Sequence, residues 1–216
     1  MQTDVHQHLW TDPLVRALAV RTEFPYVERE NGLTVLYLSG ERPYVVDLRA
    51  EDAERRAELV SHDGLDRALV CLSSPLGIEW LAREESLPLI EAYHDGALEL
   101  GDPFGVWAAL ALDRPNPDDV DMALERGCVG LSLPAGALAS VESISALHPV
   151  LRRLEQLDSP LFVHPGPASA ADGPRASTEV SLGDPLWWPA LTGYVAGMQA
   201  AYLAFQAAGR ACHPEL

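Results

Sequence analysis

The sequence predicts an α/β protein built on a parallel sheet covered by helices, and three observations carry that reading. Short apolar runs at 66–72, 104–112 and 128–133 alternate with longer stretches rich in helix formers. The runs are nearly continuous in apolar residues, as in strands buried on both faces. Their connections carry helix start and stop signals, such as Asn116-Pro117-Asp118-Asp119 before one stretch and Gly127 after it. Two closed arrangements satisfy this rhythm, a doubly wound sheet and a (β/α) barrel. No Gly-x-Gly-x-x-Gly follows a strand, so dinucleotide binding is poorly supported.

In order, Thr3-Asp-Val-His-Gln-His-Leu-Trp10 reads as the first strand. An irregular stretch follows at 11–32, with Asp12-Pro13 and Phe24-Pro25 as breakers. The runs 33–38 and 43–48 flank Ser39-Gly40-Glu41-Arg42 and predict a β-hairpin. Ala, Glu, Arg and Leu dominate 51–62, a helix, which leads to the strand at 66–72. Pro75 opens a long helical region to about residue 100, kinked near Pro88. The strand at 104–112, the helix at 117–126 and the strand at 128–133 come next. A helix at 141–157 leads into the strand Ser159-Pro-Leu-Phe-Val-His164. A loop rich in Pro, Gly, Ala and Ser spans 165–184, and a last apolar helix runs from about 185 to 209.

Composition narrows the chemistry. The 216 residues carry a formal net charge of −17, and all 15 basic residues are arginine. So acidic a surface repels phosphate backbones and anionic lipids, which excludes nucleic acid and membrane surfaces as partners. The absence of lysine removes Schiff-base chemistry, a lysine general base, a Walker-type phosphate loop and a carboxylated lysine bridging two metals. Cys71, Cys128 and Cys212 are odd in number and far apart, which points to a reducing cytoplasm rather than a disulfide framework. No signal-peptide pattern precedes the first strand, and no apolar run is long enough to span a bilayer.

The chemistry-bearing residues are histidines. Side chains two apart on a strand share a face, so His6 and His8 sit on one side with Cα atoms roughly 6.5–7 Å apart. Two imidazoles at that separation can converge on one metal ion, and Asp4, one step earlier on the same face, is placed to orient a ligand ring. His164 ends the fifth apolar strand before a Pro-Gly turn, and in a barrel functional groups gather at the C-terminal ends of strands. Three histidines leave room for a further ligand and a water, the pattern of an open catalytic site. Trp10 and Trp187 are candidate apolar walls of the substrate pocket, and Arg175 is a candidate partner for a substrate carboxylate. His62 and His148 read as surface or capping residues and His94, late in a helix, as structural. Cys71 and Cys128 read as small buried hydrophobes, and Cys212 beside His213 does not make a catalytic pair.

Taken together, Asp4-Val-His-Gln-His8, Val129-Gly-Leu-Ser-Leu133 and Pro160-Leu-Phe-Val-His-Pro-Gly166 resemble amidohydrolase-related family 2. These are metal-dependent TIM-barrel hydrolases that include aminocarboxymuconate-semialdehyde decarboxylase and its relatives. The resemblance runs through the whole chain in element order. It implies a (β/α)8 barrel, of which about five to six βα units are present, as a single domain over 1–216 with the hairpin at 33–48 lying over the barrel mouth. It implies His6, His8 and His164 as ligands of one divalent metal, usually zinc. The family pattern also has a histidine ending a sixth strand and an aspartate ending an eighth, and neither has a counterpart here. His213-Pro-Glu-Leu216 resembles the lead-in to the sixth strand rather than the missing histidine, so the barrel is expected to be incomplete at its C-terminus. The implied activity is metal-dependent hydrolysis of a small organic molecule, with non-oxidative decarboxylation as the alternative within the family. A non-catalytic relative or subunit is the alternative of another class, and a homodimer is a possible assembly.

Overall fold

The computed structural model describes residues 1–39, 42–166 and 188–216, with the side chains of 188–193 left aside. The alternation in the sequence becomes five parallel strands: β1 (Thr3–Gln7), β5 (Arg67–Val70), β6 (Phe104–Val106), β7 (Leu131–Pro134) and β8 (Leu161–His164). β1 pairs with β5, β5 with β6, and β7 with β8, all parallel. A parallel bridge between Ala108 and Leu131 joins the two halves, backed by Val129 N donating to Val106 O at 2.8 Å. The spatial order thus follows the chain order, as in a barrel wall rather than a doubly wound sheet.

Strand alternation sorts the side chains into two layers. Ala68, Val70, Val106, Leu131 and Leu133 face the helices and merge with Leu147, Leu151 and Leu154 in the main core. Each fully buried leucine there contributes about 2 kcal/mol relative to an exposed one. Leu69, Cys71 and Trp107 face the concave side, with Val129 and Phe162 against them. Gly130 lets this layer close, because a Cβ there would stand 2.4 Å from Pro160 O and 2.7 Å from the Trp107 ring.

The helices follow their caps. In α2 (Ala53–His62) the Asp52 side chain accepts from the Arg55 amide, and in α4 (Pro117–Glu125) Asn116 accepts from the Asp118 amide. Ser140 and Ser143 form a reciprocal capping box on α5 (Val141–Gln156). α3 (Arg83–Leu98) is tied to α4 by Arg83, which holds both Asp119 oxygens at 2.7 and 2.8 Å.

Several expectations are corrected. The stretch 11–32 is not irregular: it holds α1 (Asp12–Ala19), whose Leu14, Val15 and Leu18 are buried, and β2 (Tyr26–Glu30). The expected hairpin gains that strand and becomes the antiparallel sheet β2–β3–β4, with β3 (Leu33–Tyr37) central and β4 (Tyr44–Val46) outside. Outside itself this sheet packs chiefly through β2 against α1. The helix expected from Pro75 begins at Arg83, because Gly77 at φ 68° breaks the chain into two 3₁₀ turns, Ser74–Leu76 and Ile78–Trp80. The strand expected over 104–112 pairs only as far as Val106 and then at Ala108. The last helix is described from Trp188, as α6 (Trp188–Ala204), a π turn (Phe205–Gly209) and α7 (Arg210–Cys212). The loop from 167, with Arg175 and Trp187, lies outside the described residues.

Candidate metal centre

The parallel wall brings the end of β1 to the end of β8. The Nε2 atoms of His6, His8 and His164 form a triangle with sides of 3.1 Å (His6–His8), 2.8 Å (His6–His164) and 3.1 Å (His8–His164). Adjacent ligands at right angles, about 2.1 Å from an ion, stand about 3.0 Å apart, whereas a tetrahedral set stands about 3.4 Å apart. The triangle matches the first arrangement.

Hydrogen bonds behind the rings set the tautomers. His8 Nδ1 donates to the Cys71 carbonyl at 2.9 Å, and His164 Nδ1 donates to the carbonyl of Pro165. Each ring therefore turns an Nε2 lone pair toward the triangle. Burial also holds both rings neutral. It pushes His164 down to about 3, reinforced by His8 and His6, and it lowers His8 below the ordinary imidazole value. With two lone pairs turned inward at this spacing, the donor set is one that could hold a divalent metal.

Around the triangle lie groups of unequal importance. Cys71 Sγ belongs to the same cluster, but it sits 3.7 Å from His8 Nδ1, behind the ring, and burial pushes its thiol up to about 12. Its nearest ring nitrogen is Nδ1, the one turned away from the triangle, so the thiol is not aligned as a ligand. Phe162 lies edge-on to His6 at 5.5 Å and stacks on Trp107, whose indole donates to Val5 O at 3.0 Å. These two aromatics make an apolar floor. Neither was singled out in the sequence; the signal for Phe162 was its place two residues before His164 on the same strand face, and Trp107 carried none.

Asp4 does not reach an imidazole, contrary to expectation. Its carboxylate accepts from the His6 backbone amide at 2.9 Å and from the Gln7 side chain. Gln7 in turn accepts from Arg56, which also donates to His8 O at 3.3 Å. The pairing of β1 with β5 shifts register between Asp4 and Gln7, and this chain of bonds braces the irregular stretch that carries both histidines. Arg56 was missed because nothing local marks one helix arginine among several.

Trp10 lines a cleft of about 720 Å³ with Thr11, Leu48, Glu51 and Leu100, none of which belongs to the triangle. His213 is fully buried against α5, held by Glu155 at 2.9 Å and by His148 at 3.0 Å. His148 is thus a partner of His213 rather than a surface or capping residue. His94 is structural, but burial keeps it neutral, with its value lowered to about 4, so that Nε2 accepts from the Ala109 amide at 3.0 Å.

The fold is that of a TIM barrel, of which the described residues supply five parallel strands. Across the whole chain it matches IDCase from Metarhizium anisopliae in its apo form, with a TM-score of 0.74 at 14% identity. It matches 2,6-dihydroxybenzoate decarboxylase from Rhizobium over 100% of the chain, with a TM-score of 0.60 at 16% identity. It also matches 5-carboxyvanillate decarboxylase from Novosphingobium aromaticivorans, complexed with manganese and a nitrobenzoic acid, over 79% of the chain (TM-score 0.56, 17% identity). The aligned region spans 63%, 65% and 52% of those three chains respectively. No family model and no curated protein matches the sequence.

Proposed function

We propose that the chain is a metal-dependent enzyme of the amidohydrolase type acting on a small organic molecule, with His6, His8 and His164 as ligands of one divalent ion. The observation that carries this is the Nε2 triangle, with two of its rings held by backbone carbonyls. Bound there, a divalent cation supplies Lewis-acid chemistry, acidifying a water and polarising a substrate oxygen. The chain's own residues do the rest. Cys71 O and Pro165 O fix the rings, Asp4, Gln7 and Arg56 fix the strand, and Phe162 over Trp107 offers a flat apolar surface to a planar substrate.

Hydrolysis of a C–N or C–O bond is the leading reaction. Non-oxidative decarboxylation is the second reading, favoured by the likeness to decarboxylases of ring carboxylates. Zinc is the ion the sequence resemblance implies, while the triangle's sides, which suit ligands at right angles about an ion, and the manganese of 5-carboxyvanillate decarboxylase favour manganese.

Metal content tests the core of the proposal. The purified protein is expected to carry about one divalent ion per chain, and His6→Ala/His8→Ala or His164→Ala less than about a tenth of that. A wild-type protein that stays metal-free after incubation with zinc and with manganese overturns the reading and leaves a non-catalytic relative. The loaded protein is then assayed for release of CO2 from hydroxybenzoates and for hydrolysis of lactones and amides; the class that turns over decides between the two reactions.

A further inference from the structure

Strand β1 carries its two histidines through an irregularity that the β5–β6 and β7–β8 pairings lack. Asp4 stands opposite Ala68 and Gln7 opposite Val70, so three steps along β1 match two along β5. The extra residue is a β-bulge, and it resets the alternation of side chains. On a regular strand Asp4 and Gln7, three apart, would point to opposite faces. Here they share a face, because the Gln7 side-chain amide donates to the Asp4 carboxylate at 2.5 Å. That face is the outer one. Their partners Ala68 and Val70 belong to the core beneath the helices, and Gln7 accepts from Arg56 of α2. His6 and His8, on either side of Gln7, are left to meet His164 on the concave side.

Arg56 grips this bulge from the neighbouring element. Its guanidinium donates to the Gln7 side chain and, at 3.3 Å, to the His8 carbonyl. Asp4 closes the other end by accepting from the His6 amide at 2.9 Å. The backbone of both histidines is thus tied to one chain of bonds, Arg56–Gln7–Asp4, on the face away from the triangle.

We propose that Arg56 is a positioning residue of the metal centre, holding the β1 bulge that turns His6 and His8 together toward the ion. The inference rests on the metal reading of the triangle. Its sign separates it from simple electrostatics. A positive charge behind the ligands disfavours a bound cation, so loss of the charge alone would tighten binding.

The test is the affinity of apo-protein for Mn2+ by competition with a fluorescent chelator, with the visible spectrum of the Co2+ form as a second readout. Arg56→Met keeps an apolar stem and removes the donors. It is expected to weaken binding about 10-fold and to alter the spectrum, as loss of an outer support does. Gln7→Met should do the same, and the double variant should be little worse than either alone, since both cut one chain. Arg55→Met, at an exposed position of the same helix, removes an equal charge and should bind at least as tightly as wild type with an unchanged spectrum. Wild-type or tighter affinity in Arg56→Met overturns the inference. So does weaker binding with the wild-type spectrum, equal weakening in Arg55→Met, or additive loss in the double variant. Should Arg56→Met fail to fold, Gln7→Met decides: wild-type affinity overturns the inference, and a 10-fold loss with native unfolding behaviour upholds it. A wild type that takes up no ion defeats the metal reading itself, a separate result.

Discussion

At the residue scale, the site depends on which atoms face inward and which charges burial allows. Cys71 is the instructive case, because its thiol lies within the histidine cluster yet behind the His8 ring. Cys71→Ala is expected to keep the full metal complement and to cost about 1 kcal/mol of stability, measured by metal analysis and urea unfolding. An ion lost with the thiol would make Cys71 a ligand. Glu79 gives a pH signature of its own. Its value is about 7 in the folded chain against an ordinary 4.5, so the folded state binds the proton more tightly. Its contribution to stability is complete below pH 4.5 and is lost as pH rises through 7. Glu79→Gln should therefore gain on wild type between pH 5 and pH 8, by about 3 kcal/mol at the upper end. Parallel stability curves for the two proteins would show that burial does not perturb this carboxyl.

At the element scale, the strands are held at their spacing by what the side chains leave out. Gly130 stands where β6, β7 and β8 meet, with Pro160 O and the Trp107 ring against it. Gly130→Ala should cost about 2–3 kcal/mol by overpacking, read as a lowered unfolding midpoint, and displace Trp107 from Phe162, read as a shift in tryptophan emission. An unchanged midpoint would mean the strands part there at little cost. The corrected elements share one cause. α1 and β2 were hidden behind Asp12-Pro13 and Phe24-Pro25, which read as breakers locally. In the fold Pro13 occupies the first turn of α1, where no amide is needed, and Phe24-Pro25 precedes β2 without interrupting it.

At the scale of the molecule, the triangle joins the first and last strands of the described wall. β1 and β8 each pair on one side only among the described residues, and their histidines meet across the concave face. An ion there ties the two edges together, so binding should stabilise the whole domain. At free metal about 100-fold above Kd the gain is about 2.7 kcal/mol, or about 5–10 °C in Tm for a chain of this size. A chelator should reverse that shift in wild type and leave Tm unaltered in His6→Ala/His8→Ala. Equal shifts in both proteins would place the stabilising ion elsewhere.

By itself the sequence determined the parallel α/β alternation and three histidines at strand ends, because these follow from apolar periodicity and from caps, which are local; periodicity left a doubly wound sheet and a barrel open, and the pairing of the strands decided their order. His6, His8 and His164 were singled out by spacing and by position, and the fold brings their Nε2 atoms within 3.1 Å of one another. Only the tertiary structure decided the supports. Asp4 turned to an amide, and Arg56 reached Gln7 and His8 O. The Arg56 contacts join residues 48 and 49 positions apart, and the Asp4 contact sits where the β1 register shifts; a pattern that repeats every 2 or 3.6 residues carries no record of either.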